Sequence, residues 1–169
     1  MKHDPKTTWA IALTYPHGAL SSELASWFYS ARPASRIITI FGPDVIIQRN
    51  MTVVDHILKA PPEITTFLLF DWDNRPIMPS MQPFLDAEAD IVGAKYPVGN
   101  PHTWDNELPH CGSMKVKRSV FEKITPPWFQ FVYSPDGTKL EQCECNYFIE
   151  KAKAAGFSIM LAGECGHHK

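Results

Sequence analysis

The sequence predicts an α/β sandwich built on a mostly parallel sheet, in a single domain, and three observations lead there. Short apolar, β-branched runs alternate along the chain with segments whose apolar residues recur at helical spacing. The strongest run, Thr65-Thr66-Phe67-Leu68-Leu69-Phe70, is continuous and apolar, as a strand buried on both faces is. The chain has 169 residues, 44% of them hydrophobic, which suffices for one core and leaves little room for a second domain.

The elements follow in order. Residues 9–13 are a short apolar run that reads as a buried strand and gives way to a loop at Thr14-Tyr15-Pro16. Residues 21–30 open on Ser21-Ser22-Glu23 and carry Leu24, Trp27 and Phe28 on one face, a capped helix. Residues 36–41 are β-branched and bounded by Gly42-Pro43, a second strand. Residues 45–58 read mostly as helix, closed by Pro61-Pro62. The strand at 65–70 runs directly into Asp71-Trp72-Asp73-Asn74. A short helix through Phe84 and Leu85 follows Pro79 and leads to a strand at 90–94. The remainder reads as a strand at 113–117, a helical turn at 119–123, a helix at 147–155 ended by Gly156, and a strand at 157–161. The order β-α-β-α-β-α-β, mixed elements and a terminal α-β is that of an α/β sandwich.

Composition narrows the function. A net charge of -2 with no basic run excludes a broad phosphate-tracking nucleic-acid surface. The residues around 9–13 are too few to export the chain or span a bilayer, and Met1 to Thr8 is polar, so no membrane segment is expected. With Cys111, Cys143, Cys145 and Cys165 read as reduced thiols, the expected location is cytoplasmic. Fifteen prolines break the second half into short elements with long loops, which in compact domains are often functional.

The chemistry centres on Asp71 and Asp73. In open α/β sheets, ligands bind beyond the carboxyl ends of the strands, where these two acids sit. Two carboxylates one residue apart repel unless a cation lies between them, and Mg²⁺ or Mn²⁺ prefers oxygen ligands and bridges phosphates. The bland alternative is a pair of turn-capping acids.

Asp71-Trp72-Asp73 resembles the DxD motif of glycosyltransferases with the GT-A fold, in particular small phage-type and bacterial family-2-like members. Four further segments match in the family's order. Thr14-Tyr15-Pro16 resembles the loop that receives the nucleotide base, and Arg49-Asn50 a recurring Arg-Asn. Residues 89–97, Ala-Asp-Ile-Val-Gly-Ala-Lys-Tyr-Pro, resemble an "ADIVGAxYP" segment, and Gly112-Ser113-Met114 with residues 117–121 a glycine turn and helix start. The resemblance implies a GT-A-like nucleotide-diphospho-sugar transferase, its nucleotide-binding half at about residues 8–95 and its acceptor and catalytic half at about 96–169. It implies a Mn²⁺- or Mg²⁺-dependent transfer, with inversion, from a nucleotide-diphosphate sugar donor to an acceptor that the sequence does not name. Thr14, Pro16, Arg49, Asn50, Asp71, Trp72, Lys95 and Gly112 would line the donor, and Asp71, Asp73 and His167 would hold the metal, with His168 as the fallback. Glu144 falls where the family carries a Glu-Asp base motif, though its second position here is Cys145; Glu141 is a nearby substitute.

Three rival readings stand beside this one. Cys143, Cys145, Cys165 and His167 are a legitimate structural zinc set. A catalytically weak nucleotide-sugar-binding module of the same fold fits the cysteine in the acid motif, with Trp104, Trp128 and Phe129 stacking on sugar rings or else packed as satellite core. Nucleotidyl transfer would want a glycine-rich signature near the N-terminus, which the sequence lacks.

Overall fold

The computed structural model describes residues 3–14, 19–42, 44–76, 79–96 and 108–167. Their centre is a seven-stranded sheet in the order β2-β1-β3-β6-β5-β9-β4. Its strands are β1 (Thr8–Leu13), β2 (Arg36–Ile40), β3 (Thr66–Asp71), β4 (Asn74–Pro76), β5 (Ile91–Lys95), β6 (Ser113–Lys117) and β9 (Ile159–His167). A separate hairpin joins β7 (Val132–Tyr133) to β8 (Leu140–Gln142). The helices are α1 (Ser22–Ala31), α2 (Val45–Thr52), α3 (Gln82–Asp86), α4 (Arg118–Lys123) and α5 (Glu144–Ala154).

The expected α/β sandwich is present, and its sheet is mixed. β1 runs parallel to β2 and β3, and β5 parallel to β9. β6 lies antiparallel between β3 and β5, and β4 antiparallel to β9. Strand direction is invisible in an apolar run, and the sequence before β6 is punctuated by prolines at Pro97, Pro101 and Pro109 and carries no helical periodicity. The short edge strand β4 was not expected either, because Asn74-Arg75-Pro76 carries no hydrophobic pattern; a proline is tolerated there because one side of an edge strand needs no ladder bond.

Period-2 alternation sends successive side chains of the central strands to opposite faces. Ile11, Phe67, Leu69, Met114 and Val116 pack on one face with Val120 and Phe121 of α4 and Phe148, Ile149 and Ala152 of α5. Ala10, Ala12, Leu68 and Phe70 pack on the other with Leu24, Trp27 and Phe28 of α1 and Phe84 of α3. Phe70 meets Trp27, Phe28 and Phe84 with ring centroids 5.3, 5.6 and 6.2 Å away, distances at which edge contacts add to area burial. Ser21 caps α1, its hydroxyl accepting from the Leu24 amide at 3.1 Å. The helix expected over 45–58 continues past Thr52 as a π-helical segment, Val53–Ile57, which buries Val53 and Ile57.

The largest departure in length is β9. Ala162-Gly163 reads as a strand end, yet the chain passes through a bulge there. Gly93 pairs with Leu161 and Lys95 with Glu164, so β9 carries one extra residue. Gly163 takes φ +69° at that point, and a Cβ on it would stand 2.5 Å from the Ser80 carbonyl oxygen. The bulge lets one strand pair with β5 along its first half and with β4 along its second.

Candidate functional site

Asp71 is the last residue of β3, paired with Leu13 at the end of β1. The antiparallel β6 starts at the same edge, Ser113 opposite Phe70, and β5 ends there at the exposed Lys95. The carboxyl ends of three parallel strands and the amino end of β6 thus share one rim. α5 points its N-terminus at this rim, bringing Glu144 into reach, and α2 sends Arg49 up from below.

Arg49 organises the centre. Its Nη2 donates to both carboxylate oxygens of Asp71, at 2.8 and 3.0 Å, and its Nη1 donates to the Cys111 carbonyl at 3.3 Å. Its Nε stands 3.7 Å from Glu144 Oε1, beyond hydrogen-bond length yet close enough for strong electrostatic attraction. One guanidinium, 5% exposed, therefore links the candidate metal acid to the candidate base. Burial opposes the Arg49 charge, but Asp71, Cys111, Cys145 and Glu144 outweigh it and hold the guanidinium above its ordinary range. Burial also pushes the Asp71 carboxyl up, with Asp73 and Glu144 adding to the rise and Arg49 opposing it.

A second set of bonds fixes the turn after β3. Asn74, fully buried, donates its amide to the Asp71 carbonyl at 3.1 Å and to the Gly112 carbonyl. Its side-chain oxygen accepts from Tyr96 Oη at 3.2 Å and Ser113 Oγ at 3.1 Å. The Asp71 amide donates to the Gly112 carbonyl at 3.0 Å. A Cβ on Gly112 would stand 2.5 Å from Tyr96 Oη and 3.0 Å from Asp71 Oδ2, so only glycine lets the two segments close. Burial lifts the Tyr96 phenol well above its ordinary range and leaves it a neutral donor. Asn74 and Tyr96 escaped the sequence reading as site residues; an asparagine directly after two acids in a tight turn was the available signal for the first.

The other sequence-derived residues distribute as follows. Thr14 directly follows β1, buried, its amide and hydroxyl both donating to the Ile40 carbonyl at 2.9 and 3.2 Å. The Trp72 carbonyl accepts from the Ser21 amide at 2.7 Å, tying the turn to α1. Asn50 holds a loop: its amide donates to the Phe129 carbonyl at 2.8 Å, and its oxygen accepts from the Trp128 and Phe129 amides at 2.9 and 3.2 Å. That loop is core, with Trp128 and Phe129 only 5% and 1% exposed, so neither ring is free to stack on a sugar. Glu141 is exposed on β8. Pro16, Trp104 and His168 lie outside the described residues. His167 ends β9 in register with Asn74, so the backbone brings it beside the residue that follows Asp73.

Among the described residues, Cys165 is not brought together with Cys143 and Cys145 as the zinc set would require. Cys165 belongs to the core face formed with α1 and α3, where its thiol lies 3.6 Å from Asn74 Oδ1. Cys145, with Cys143 packed beside it, belongs to the opposite face. The two belong to different core faces, and the Cys165 sulfur is not among the ligand atoms gathered at Cys143 and Cys145. Cys143, Glu144 and Cys145 do cluster among the described residues, their ligand atoms within 4.8 Å of one another. The Cys111 amide donates to Cys145 Sγ at 3.1 Å. All four thiols are free.

Comparison with known proteins matches the fold alone. No family model and no curated protein matches the chain. Among solved structures it is similar to A197 from STIV, with a TM-score of 0.62 and 15% identity over 98% of this chain and 83% of that one. It is also similar to the catalytic domain of Drosophila beta1,4galactosyltransferase 7, crystallised with xylobiose, with a TM-score of 0.61 and 13% identity over 92% of this chain. The chain spans 64% of that domain. Among the described residues no helix is long and apolar enough to cross a membrane. Over the described residues the chain has an α/β fold with a seven-stranded mixed sheet, and that fold resembles the catalytic domain of a galactosyltransferase.

Proposed function

We propose that the protein is a metal-dependent glycosyltransferase that moves a sugar, with inversion, from a nucleotide-diphosphate donor to an acceptor hydroxyl. The observation that carries this reading is the convergence of Asp71, Arg49 and Glu144 on one strand-end rim of a GT-A-like sheet, with β9 drawn up in register beside the turn. Fold likeness alone would not reach an activity.

The donor set fits a hard divalent cation, with roles divided between the acids. Asp71 is already neutralised by Arg49, so Asp73, with His167 from β9, is the protein's direct contribution to Mn²⁺ or Mg²⁺. Such an ion, when bound, neutralises charge developing on the leaving diphosphate. Asp71 then serves to hold the turn: its carboxylate is clamped by Arg49, and its backbone amide and carbonyl are tied to Gly112 and Asn74. Lys95, exposed at the end of β5, adds positive charge at the rim.

Glu144 is the acceptor base in this scheme. Its side chain is 13% exposed, so it is not sealed from solvent. Arg49, with Nε 3.7 Å from Glu144 Oε1, attracts that carboxylate and favours its present position, which supports the positional control a general base requires. The Cys145 thiol, at the motif's second position, lies 3.6 Å from Glu144 Oε1.

The test is turnover. Purified protein supplied with a panel of nucleotide sugars and Mn²⁺ should release nucleoside diphosphate from at least one of them. Absence of release across the panel, with nucleotide binding retained, would favour the binding-module reading.

A further inference from the structure

The N-terminus of α5 carries a second group of metal-ligating atoms, of which sugar transfer uses only Glu144. Cys143 precedes the helix, and Glu144 and Cys145 are its first two residues. Their sulfurs and a carboxylate oxygen lie within 4.8 Å of one another. We propose that Cys143, Glu144 and Cys145 form a site for a thiophilic divalent cation, zinc in kind, distinct from the hard-cation turn at Asp73.

The chemistry matches in softness and charge. Two sulfurs and one oxygen suit zinc or cadmium and not magnesium or manganese. Binding exchanges two thiol protons for the ion, giving two thiolates and a carboxylate around a divalent centre with one net negative charge. That charge falls at the N-terminal end of an 11-residue helix, where the backbone dipole favours it. Arg49, with Nε 3.7 Å from Glu144 Oε1, adds a fixed positive charge on the same side. The surroundings also orient the ligands. The Cys111 amide donates to Cys145 Sγ at 3.1 Å, the kind of outer bond that fixes a metal-bound sulfur. The Cys145 thiol lies 3.6 Å from Glu144 Oε1, so the cation takes the place of a proton between them. Three protein ligands leave a fourth position for water.

The consequence for the transfer reaction rests on Glu144 being its base: a zinc ion held there would occupy that carboxylate and inhibit turnover. Binding of the ion itself does not depend on sugar transfer and is tested alone. Reduced, chelator-stripped protein is titrated with Cd²⁺, following the thiolate-to-cadmium charge-transfer absorption, and then with competing Zn²⁺. The expected result is one equivalent of Cd²⁺ displaced by Zn²⁺. Affinity should fall at least about tenfold in Cys143→Ser, a half-buried position that tolerates the change, and in Glu144→Gln. Asp73→Ala and Cys165→Ser should titrate like the parent. The proposal is overturned by an absent band, by Cys143→Ser binding Cd²⁺ as tightly as the parent, or by loss of the band in Asp73→Ala or Cys165→Ser. Loss of Mn²⁺-dependent nucleotide binding in Asp73→Ala, with the cadmium titration intact, separates the two sites.

Discussion

Replacing Arg49 with methionine should destabilise the protein by about 3 kcal/mol, the low end of the ~3–5 kcal/mol lost when one member of a buried ion pair is removed. The low end applies because Asp71 keeps 27% of its side chain exposed and can recruit water, whereas Arg49 keeps 5%. Methionine preserves most of the buried volume, so the loss reports the charge and its bonds: two to Asp71, one to the Cys111 carbonyl, and the attraction to Glu144. For a chain of this size the loss corresponds to a fall of about 6–12 °C in Tm. Urea unfolding of the parent, Arg49→Met, Asp71→Asn and the double variant measures it as a cycle. The double variant should be at least about 1 kcal/mol more stable than the sum of the single losses allows, since neutralising Asp71 removes the stranded charge. A loss below about 1 kcal/mol in Arg49→Met, or single losses that simply add, would refute the claim that one guanidinium holds the site together.

Other outcomes follow from the same geometry. Gly112→Ala should cost about 1–3 kcal/mol by overpacking against Tyr96 and Asp71, and part of that loss should return in Gly112→Ala/Tyr96→Phe, measured by thermal unfolding. Asp90 is held down to about 2 by the Ser158 amide and hydroxyl and by Lys117. Because its folded value lies below its ordinary 3.8, its contribution is full above that value and fades as pH falls toward about 2. With solvent screening allowed for, the parent should exceed Asp90→Asn by about 1 kcal/mol at pH 6, and the two should converge near pH 2 in acid titrations of stability. Glu144→Gln should lower transfer by about 10²–10⁴-fold while nucleotide affinity stays at the parent level, compared by steady-state rates and calorimetry.

The parts legible in the sequence were those with strong local periodicity. The strand before Asp71, the face of Phe148, Ile149 and Ala152, and the Ser21 cap all lie where their patterns placed them. What escaped depends on partners distant in sequence. Nothing local to residues 113–117 says that they run antiparallel between β3 and β5. Nothing local to Gly163 says whether a glycine ends a strand or bends it. Arg49 was chosen as a donor contact, but a single sequence could not show that its guanidinium turns inward, because Asp71 and Glu144 lie 22 and 95 positions further along. Conversely, the cysteines looked like one ligand set because spacing ignores the different core faces to which they belong.

The assignment of the cation to Asp73 can be checked by titrating a panel of nucleoside diphosphates into parent and Asp73→Ala protein with and without Mn²⁺, using thermal shift as readout, since a ligand specific to the folded state raises its stability. The account predicts that at least one nucleotide raises Tm in the parent only when Mn²⁺ is present, and that Asp73→Ala loses this Mn²⁺-dependent rise while remaining folded. An equal rise in Asp73→Ala, or a rise in the parent that ignores Mn²⁺, would contradict it.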